Sequence, residues 1–218
     1  MQDVRYWYAS PAYRAAQDAV NAAAAAQADR TLAEAWQSRR AYPLVVTQGD
    51  GNLGVKGKNF EMLFSIAGAG PASLKVNGTE WLWRAPRPAF WRASTDNDRG
   101  CGFPLRAAAW MAADVFVTYN GMKVLEAGPD CVKVQFQFGI PTVPGASAEL
   151  VYTVEAQGAL RVDAVYHGVA GAPELPCFGV KFETFGPVTR TVWTGLSGET
   201  YPDRYKGGVF GCHEETPH

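Results

Sequence analysis

Phe90-Trp91-Arg92-Ala93-Ser94-Thr95-Asp96-Asn97-Asp98-Arg99-Gly100 brings two carboxylates, two guanidiniums, an amide and two aromatic rings into eleven residues. Asp96 and Asp98 stand two apart, close enough to crowd one another and raise one pKa. Arg92 and Arg99 beside them act the other way and hold both ionised. A general acid needs a protonated group, so these carboxylates are a poor acid/base pair. Two other uses fit. Arginine can tie the carboxylates down through paired hydrogen bonds and pin the chain. Alternatively Asp96, Asn97, Asp98 and Arg99 can offer hydrogen bonds to a polar ligand such as a sugar. Apolar and charged residues here follow neither a period of 2 nor one of 3.6. Pro86, Pro88 and Gly100 flank them, so the expectation is an ordered loop whose Asp and Asn side chains fix its shape.

A second polar group follows about a hundred residues later, in Trp193-Thr194-Gly195-Leu196-Ser197-Gly198-Glu199-Thr200-Tyr201-Pro202-Asp203-Arg204. Glu199, Tyr201, Asp203 and Arg204 read as one polar corner, with contacts to sugar hydroxyls as the other use. The remaining chemistry-bearing residues are scattered. His213 and His218 are expected on the surface, and His167 at a strand end is expected as a structural histidine. No spacing of His, Cys, Asp and Glu matches a zinc or calcium framework. Cys101, Cys131, Cys177 and Cys212 form no CxxC pair and read as free thiols. Trp81 and Trp83 alternate with Leu82 and point one way, and the core is their expected place; sugar stacking is the alternative for them and for Trp91, Trp110 and Trp193.

Composition narrows the class. A formal net charge of −1 over 218 residues gives no electrostatic basis for nucleic acid or an anionic membrane. No run of eighteen apolar residues exists to span a bilayer. Met1-Gln2-Asp3-Val4-Arg5 lacks the basic start and apolar core of a secretory leader, so a cytoplasmic location is expected. Hydrophobic content of 47% with 12% aromatics suits a packed core.

The elements that must position these residues change character near Pro43. Residues 1–43 read as a helical extension: Ser10-Pro11 offers a cap and a first-turn proline, and alanine-rich sequence follows. Its large apolar residues are only Tyr13, Val20, Leu32 and Trp36, too few to sustain a helix without a partner surface. Residues 44–218 read as short strands at 44–47, 54–58, 60–67, 72–76, 80–84, 115–119, 122–127, 132–139, 148–156, 160–168, 177–184 and 189–194. Val132-Lys133-Val134-Gln135-Phe136-Gln137-Phe138 alternates strictly. Asn77-Gly78 and Ala156-Gln157-Gly158 separate neighbouring runs as hairpin turns. Many strands without βα alternation predict an all-β antiparallel sandwich.

The first cluster resembles the FWRAPTDNDxG signature of the small-chain domain, the C-terminal sandwich, of the large bacterial β-galactosidases. The second resembles that domain's WxGxGPxExYPDR motif, in the right order and at the right separation. Asn59-Phe60-Glu61-Met62-Leu63-Phe64-Ser65 and Gly78-Thr79-Glu80-Trp81-Leu82 resemble its opening strands. The likeness runs over roughly residues 44–212. Ser94 stands in place of the family's proline, and the second motif is one residue short and lacks its Gly-Pro.

This resemblance implies a galactose-mutarotase-like antiparallel supersandwich, represented by its N-terminal part. It implies a non-catalytic, carbohydrate-associated role, in which the domain completes the active-site rim of a catalytic barrel for β-galactoside hydrolysis. That barrel would lie in cis or on a large subunit. Asp96, Asn97, Asp98, Arg99 and Glu199 become the substrate-rim candidates; Trp91, Arg92, Trp193, Tyr201, Asp203 and Arg204 become structural motif residues. Retaining hydrolysis uses two carboxylates about 5–5.5 Å apart, and the family carries them on a barrel of about 250 residues that this chain lacks. No catalytic residue is therefore assigned, and none of the family's magnesium or sodium is expected here. The strand edges left open by a truncated sandwich, together with the sparse helix, imply self-association. A standalone carbohydrate-binding or aldose-epimerase-like protein is the alternative, with His167 and Glu183 as acid and base if their strands adjoin.

Overall fold

Short alternating runs with turn residues between them give strands that pair with their sequence neighbours. The computed structural model describes residues 42–197 and 209–216, together with Ala15, Ala19, Ala22, Ala23, Ala26 and Gln27, which are helical and exposed. Residues 41–185 form one compact unit; residues 186–218 fall in another.

The first sheet consists of β1 (Val45–Gln48), β2 (Asn52–Lys56), β3 (Phe60–Ser65), β4 (Gly70–Val76) and β5 (Thr79–Glu80), paired antiparallel in chain order. Leu53, Val55, Met62 and Phe64 are its buried face. Asn77 and Gly78 join β4 to β5 with φ of 50° and 81°. Positive φ at both positions is the two-residue turn whose twist suits a hairpin. At Gly57, between β2 and β3, an added Cβ would lie 2.1 Å from the Phe60 ring, so a side chain there would force that ring to move.

Glu80 ends this sheet as an acceptor for three backbone N–H groups, those of Leu74 (2.9 Å), Trp81 (3.1 Å) and Leu82 (3.1 Å), and for the Ser73 hydroxyl. Desolvation raises its pKa, but these hydrogen bonds outweigh it and hold the carboxyl below its usual value. They also aim the chain into β6 (Leu82–Ala89). Leu82 is buried, whereas Trp81 and Trp83 are 52% and 57% exposed, so the expected core position of these two tryptophans is corrected. Leu82 takes the inward side and the alternation carries its neighbours out.

Three short helices follow: α1 (Asp96–Gly100), α2 (Phe103–Arg106) and α3 (Ala108–Phe116). The strand expected at 115–119 is thereby corrected, because Val115 and Phe116 finish α3. Ala107, Trp110 and Ala113 form a fully buried stripe at three-residue spacing. That packing overrides the β-propensity of the last two residues.

The second sheet has β7 (Thr118–Ala127), β8 (Cys131–Gly139), β9 (Ser147–Glu155) and β10 (Leu160–His167), again antiparallel. Val132, Val134, Phe136 and Phe138 turn inward as their spacing predicts. Phe64 of the first sheet meets Phe136 and Tyr152 of the second, with ring centroids 6.2 and 5.8 Å apart. The two sheets thus share one core, as expected of an antiparallel all-β sandwich. Beside it β11 (Gly179–Thr184) pairs with β6. Pro86 and Pro88 are two apart, so both missing N–H groups fall on one edge of β6. β6 accordingly hydrogen-bonds to β11 and not to the five-stranded sheet.

In the other unit, β12 (Thr191–Ser197) and β13 (Val209–Glu215) make an antiparallel ribbon. The strand at β13 was not expected from sequence.

Candidate functional site

Phe90 fixes where the polar segment begins. Its ring is fully buried, and its N–H donates to Asp114 Oδ1 of α3 at 2.6 Å. Trp91 packs, partly buried, against the same core. The chain then turns out and Thr95 caps α1. Thr95 Oγ1 accepts from the Asp98 N–H at 3.2 Å, and Asp98 Oδ2 accepts from the Thr95 N–H at 2.8 Å. This reciprocal capping box satisfies N–H groups that a helix start leaves open. The expected loop at Asp96–Gly100 is therefore a one-turn helix. Its sequence signal, Thr-x-x-Asp, is local and shows no period because the helix is so short.

Asp98 also receives Arg92 in a two-pronged pair, Nη1 to Oδ2 at 2.5 Å and Nη2 to Oδ1 at 3.2 Å. The hydrogen bond from Arg92 and then that from the Thr95 N–H hold the Asp98 carboxyl far below the usual carboxylate range. Asp98 is thus committed to structure. Asp96 is not: its side chain is 94% exposed and pairs with Arg99 across one turn. Arg99 Nη1 also donates to the Ser94 carbonyl at 3.3 Å. Asn97 is exposed. The four adjacent rim candidates therefore divide, with Asp98 turned into the corner and Asp96, Asn97 and Arg99 turned to solvent. Each aspartate pairs with its own arginine, Asp98 with Arg92 and Asp96 with Arg99.

The segment after Gly100 is also ordered. Gly102 takes φ of 68°, and Arg106 donates to the Cys101 carbonyl while lying 6.0 Å from the Phe103 ring centroid. Leu105 is 86% exposed beside it.

A pH test follows from Asp98. Its folded-state pKa is depressed, so its contribution to stability is present above the unfolded value and is lost as the pH falls below it. Asp98→Asn should melt below the wild type at pH 7, and the gap should narrow once the pH drops under the unperturbed value of 3.8. Asp96→Asn, at an exposed pair, should show little gap at either pH. Thermal melts at pH 7 and pH 3 check this, and a gap for Asp98→Asn that is the same at both would contradict the assignment.

The second motif is only partly described. Trp193 lies in β12 opposite His213, their rings 5.6 Å apart, and His213 Nε2 sits 3.0 Å from the Gly195 carbonyl. Glu199, Tyr201, Asp203 and Arg204 lie outside the described residues. His167 and Glu183 do not form the acid–base pair of an epimerase, because β10 neighbours β9 and β11 neighbours β6. His167 instead meets Glu149 at 3.2 Å, and Glu183 meets Arg84 at 3.4 Å and Lys181 at 3.6 Å. Among the described residues no group of three or more His, Cys, Asp or Glu could hold a metal ion. No described helix is long and apolar enough to cross a membrane.

Among the described residues the geometry therefore offers a capped corner that displays hydrogen-bonding groups. The family model described as "Beta galactosidase small chain" matches residues 56–218. The chain belongs to that family. It is 44% identical over 192 residues to a beta-galactosidase small subunit of Latilactobacillus sakei, covering 79% of this chain and 60% of that protein. Beta-galactosidases of Clostridium acetobutylicum and Lactobacillus delbrueckii subsp. bulgaricus are 36% and 35% identical to it over 78% and 84% of this chain. The chain covers 19% of each of those two proteins. The residues that sequence reading missed are Thr95, which caps α1, and Asp114, which accepts from the Phe90 N–H 24 residues away.

Proposed function

We propose that this chain is a non-catalytic, carbohydrate-associated part of a β-galactosidase, completing the rim of a cleft whose catalytic carboxylates stand on a partner barrel. The observation that carries this reading is the division at α1. Arg92, Thr95 and Asp98 satisfy one another and fix the helix. Asp96, Asn97 and Arg99 face solvent, and Arg99 also donates to the Ser94 carbonyl at 3.3 Å. Carboxylate, amide and guanidinium groups held this way match the donors and acceptors of sugar hydroxyls. Holding them on a capped helix lowers the ordering cost when a sugar docks. Glu199 would join them from the second motif. The barrel would be a large subunit or a further part of the same polypeptide, and it supplies the acid and nucleophile. The small-subunit name of the L. sakei relative supports the first arrangement; the longer relatives support the second.

The test is kinetic. In the enzyme assembled with its catalytic barrel, Asp96→Ala and Asn97→Ala should each raise KM for a galactoside about two- to ten-fold, the range of one lost hydrogen bond. The melting temperature should stay unchanged, because neither side chain supports the helix. KM values equal to wild type in both variants would remove α1 from the rim.

A further inference from the structure

An open cavity of about 360 Å³ lies between β6, β11 and the last turn of α3, apart from the corner at α1. Arg84, Arg87, Lys181, Glu183, Asp114 and Val115 line it. Arg87 and Lys181 stand directly opposite one another in the β6–β11 register. Like charges in that position destabilise a sheet, and the carboxylates nearby do not relieve Arg87. Glu183 lies 3.4 Å from Arg84 and 3.6 Å from Lys181. Asp114 is taken by the Phe90 N–H at 2.6 Å. Among the described residues the Arg87 guanidinium has no acceptor, and the cavity holds three cations against two carboxylates. The helix adds an apolar margin. Val115 is 72% exposed at the cavity edge, and Met111, one turn earlier on the same flank, is 52% exposed.

From this arrangement we infer that the cavity is a docking point for the catalytic chain, which inserts a carboxylate side chain between Arg84, Arg87 and Lys181. An apolar residue next to that carboxylate covers Val115 and Met111. The planar guanidinium of Arg87 matches a carboxylate through two parallel N–H···O bonds. A small inorganic anion would satisfy the charge but leave the apolar flank wet, which favours a protein segment as occupant. The inference rests on the proposed pairing with a barrel, so its test has one arm that needs the barrel and one that does not.

In the first arm, the isotope-labelled chain is titrated with the blocked peptides Leu-Asp-Leu and Leu-Asn-Leu and with inorganic phosphate. The Asp peptide should shift the resonances of both Arg87 and Val115, and the Asn peptide should shift neither. Phosphate that binds as tightly as the Asp peptide, moving Arg87 alone, would overturn the inference in favour of a small-anion site. In the second arm, the chain is mixed with the catalytic large chain of a β-galactosidase and followed by sedimentation at low and high salt. Arg87→Glu should weaken association at least about ten-fold and flatten its salt dependence. Lys123→Glu on β7, opposite Gln135, makes the same change of charge elsewhere and should leave association unchanged. Lys123→Glu should melt with the wild type, and Arg87→Glu no lower than it, since an acid there faces Lys181 in place of a like charge. Association of Arg87→Glu at wild-type strength would overturn the inference. Peptide shifts at Arg87 and Val115 without any binding of the catalytic chain would uphold the cavity's chemistry and instead overturn the proposed function.

Discussion

Trp110→Ala is expected to cost about 3–5 kcal/mol, the range for emptying a buried tryptophan site. Trp110 is fully buried in α3. Its ring lies 5.7 Å from Phe90 and 5.8 Å from Tyr166, and its Nε1 donates to the Pro173 carbonyl at 3.0 Å. Phe178 closes the cluster, 5.8 Å from both Phe90 and Tyr166. These four rings join the end of β6, helix α3, strand β10 and the segment before β11, so the cavity left by alanine has walls on four elements that would have to move together to fill it. The Pro173 carbonyl would lose its partner as well. Against a net stability of about 5–15 kcal/mol, that is a large share. At about 2–4 °C per kcal/mol for a chain of this size, the melting temperature should fall by roughly 6–20 °C. Leu105→Ala, at an 86% exposed position nearby, should shift it by about 1–2 °C at most. A Trp110→Ala protein melting within a degree or two of wild type would mean that the cluster does not hold the segment in place. The effect reaches the candidate site through Phe90, which starts the chain leading to Arg92, Thr95 and Asp98.

How far the sequence discloses this arrangement differs from one residue to the next, for physical reasons. Val132 to Phe138 could be read because a strand with one dry face must alternate, and four inward residues in a row leave little else possible. Asn77-Gly78 could be read because both residues tolerate positive φ. Trp81 and Trp83 were misassigned because alternation gives two faces without saying which is dry; here the smaller Leu82 takes the core. Val115 and Phe116 were misassigned because their strand propensity is local, whereas the burial of Ala107, Trp110 and Ala113 that makes the helix depends on distant partners. The same limit hides Asp114 behind Phe90 and Pro173 behind Trp110, 24 and 63 residues apart. Thr95-x-x-Asp98 was legible in principle. It was masked by the arginines on either side, which drew both aspartates into one network when only Asp98 belongs to the corner.

Alone, the chain is expected to leave a chromogenic galactoside uncleaved, and turnover should appear when a catalytic barrel is added. Retaining hydrolysis needs one carboxyl held protonated and a second, ionised one about 5–5.5 Å away across the sugar. Several of the described carboxylates are engaged otherwise. Asp98 is held ionised by Arg92 and the Thr95 N–H. Glu80 sits under three backbone N–H groups and the Ser73 hydroxyl, with its pKa lowered. Glu149 is bound at 2.6 Å by Gln135 and at 3.2 Å by His167. Glu183 lies between Arg84 and Lys181, and Asp114 accepts from Phe90. Asp96 is exposed to solvent and paired with Arg99. Burial raises the phenols of Tyr119, Tyr152 and Tyr166, which makes them poorer nucleophiles at neutral pH. Since enzymes accelerate such reactions by about 10⁶-fold or more, the contrast between the chain alone and the assembled protein should be nearly all or none. The measurement is release of nitrophenol by the purified chain, then by the chain titrated into a catalytic large chain, where activity should rise and level off at a fixed ratio. Turnover by the chain alone that vanishes when one of its own carboxylates is replaced would show that it carries chemistry after all.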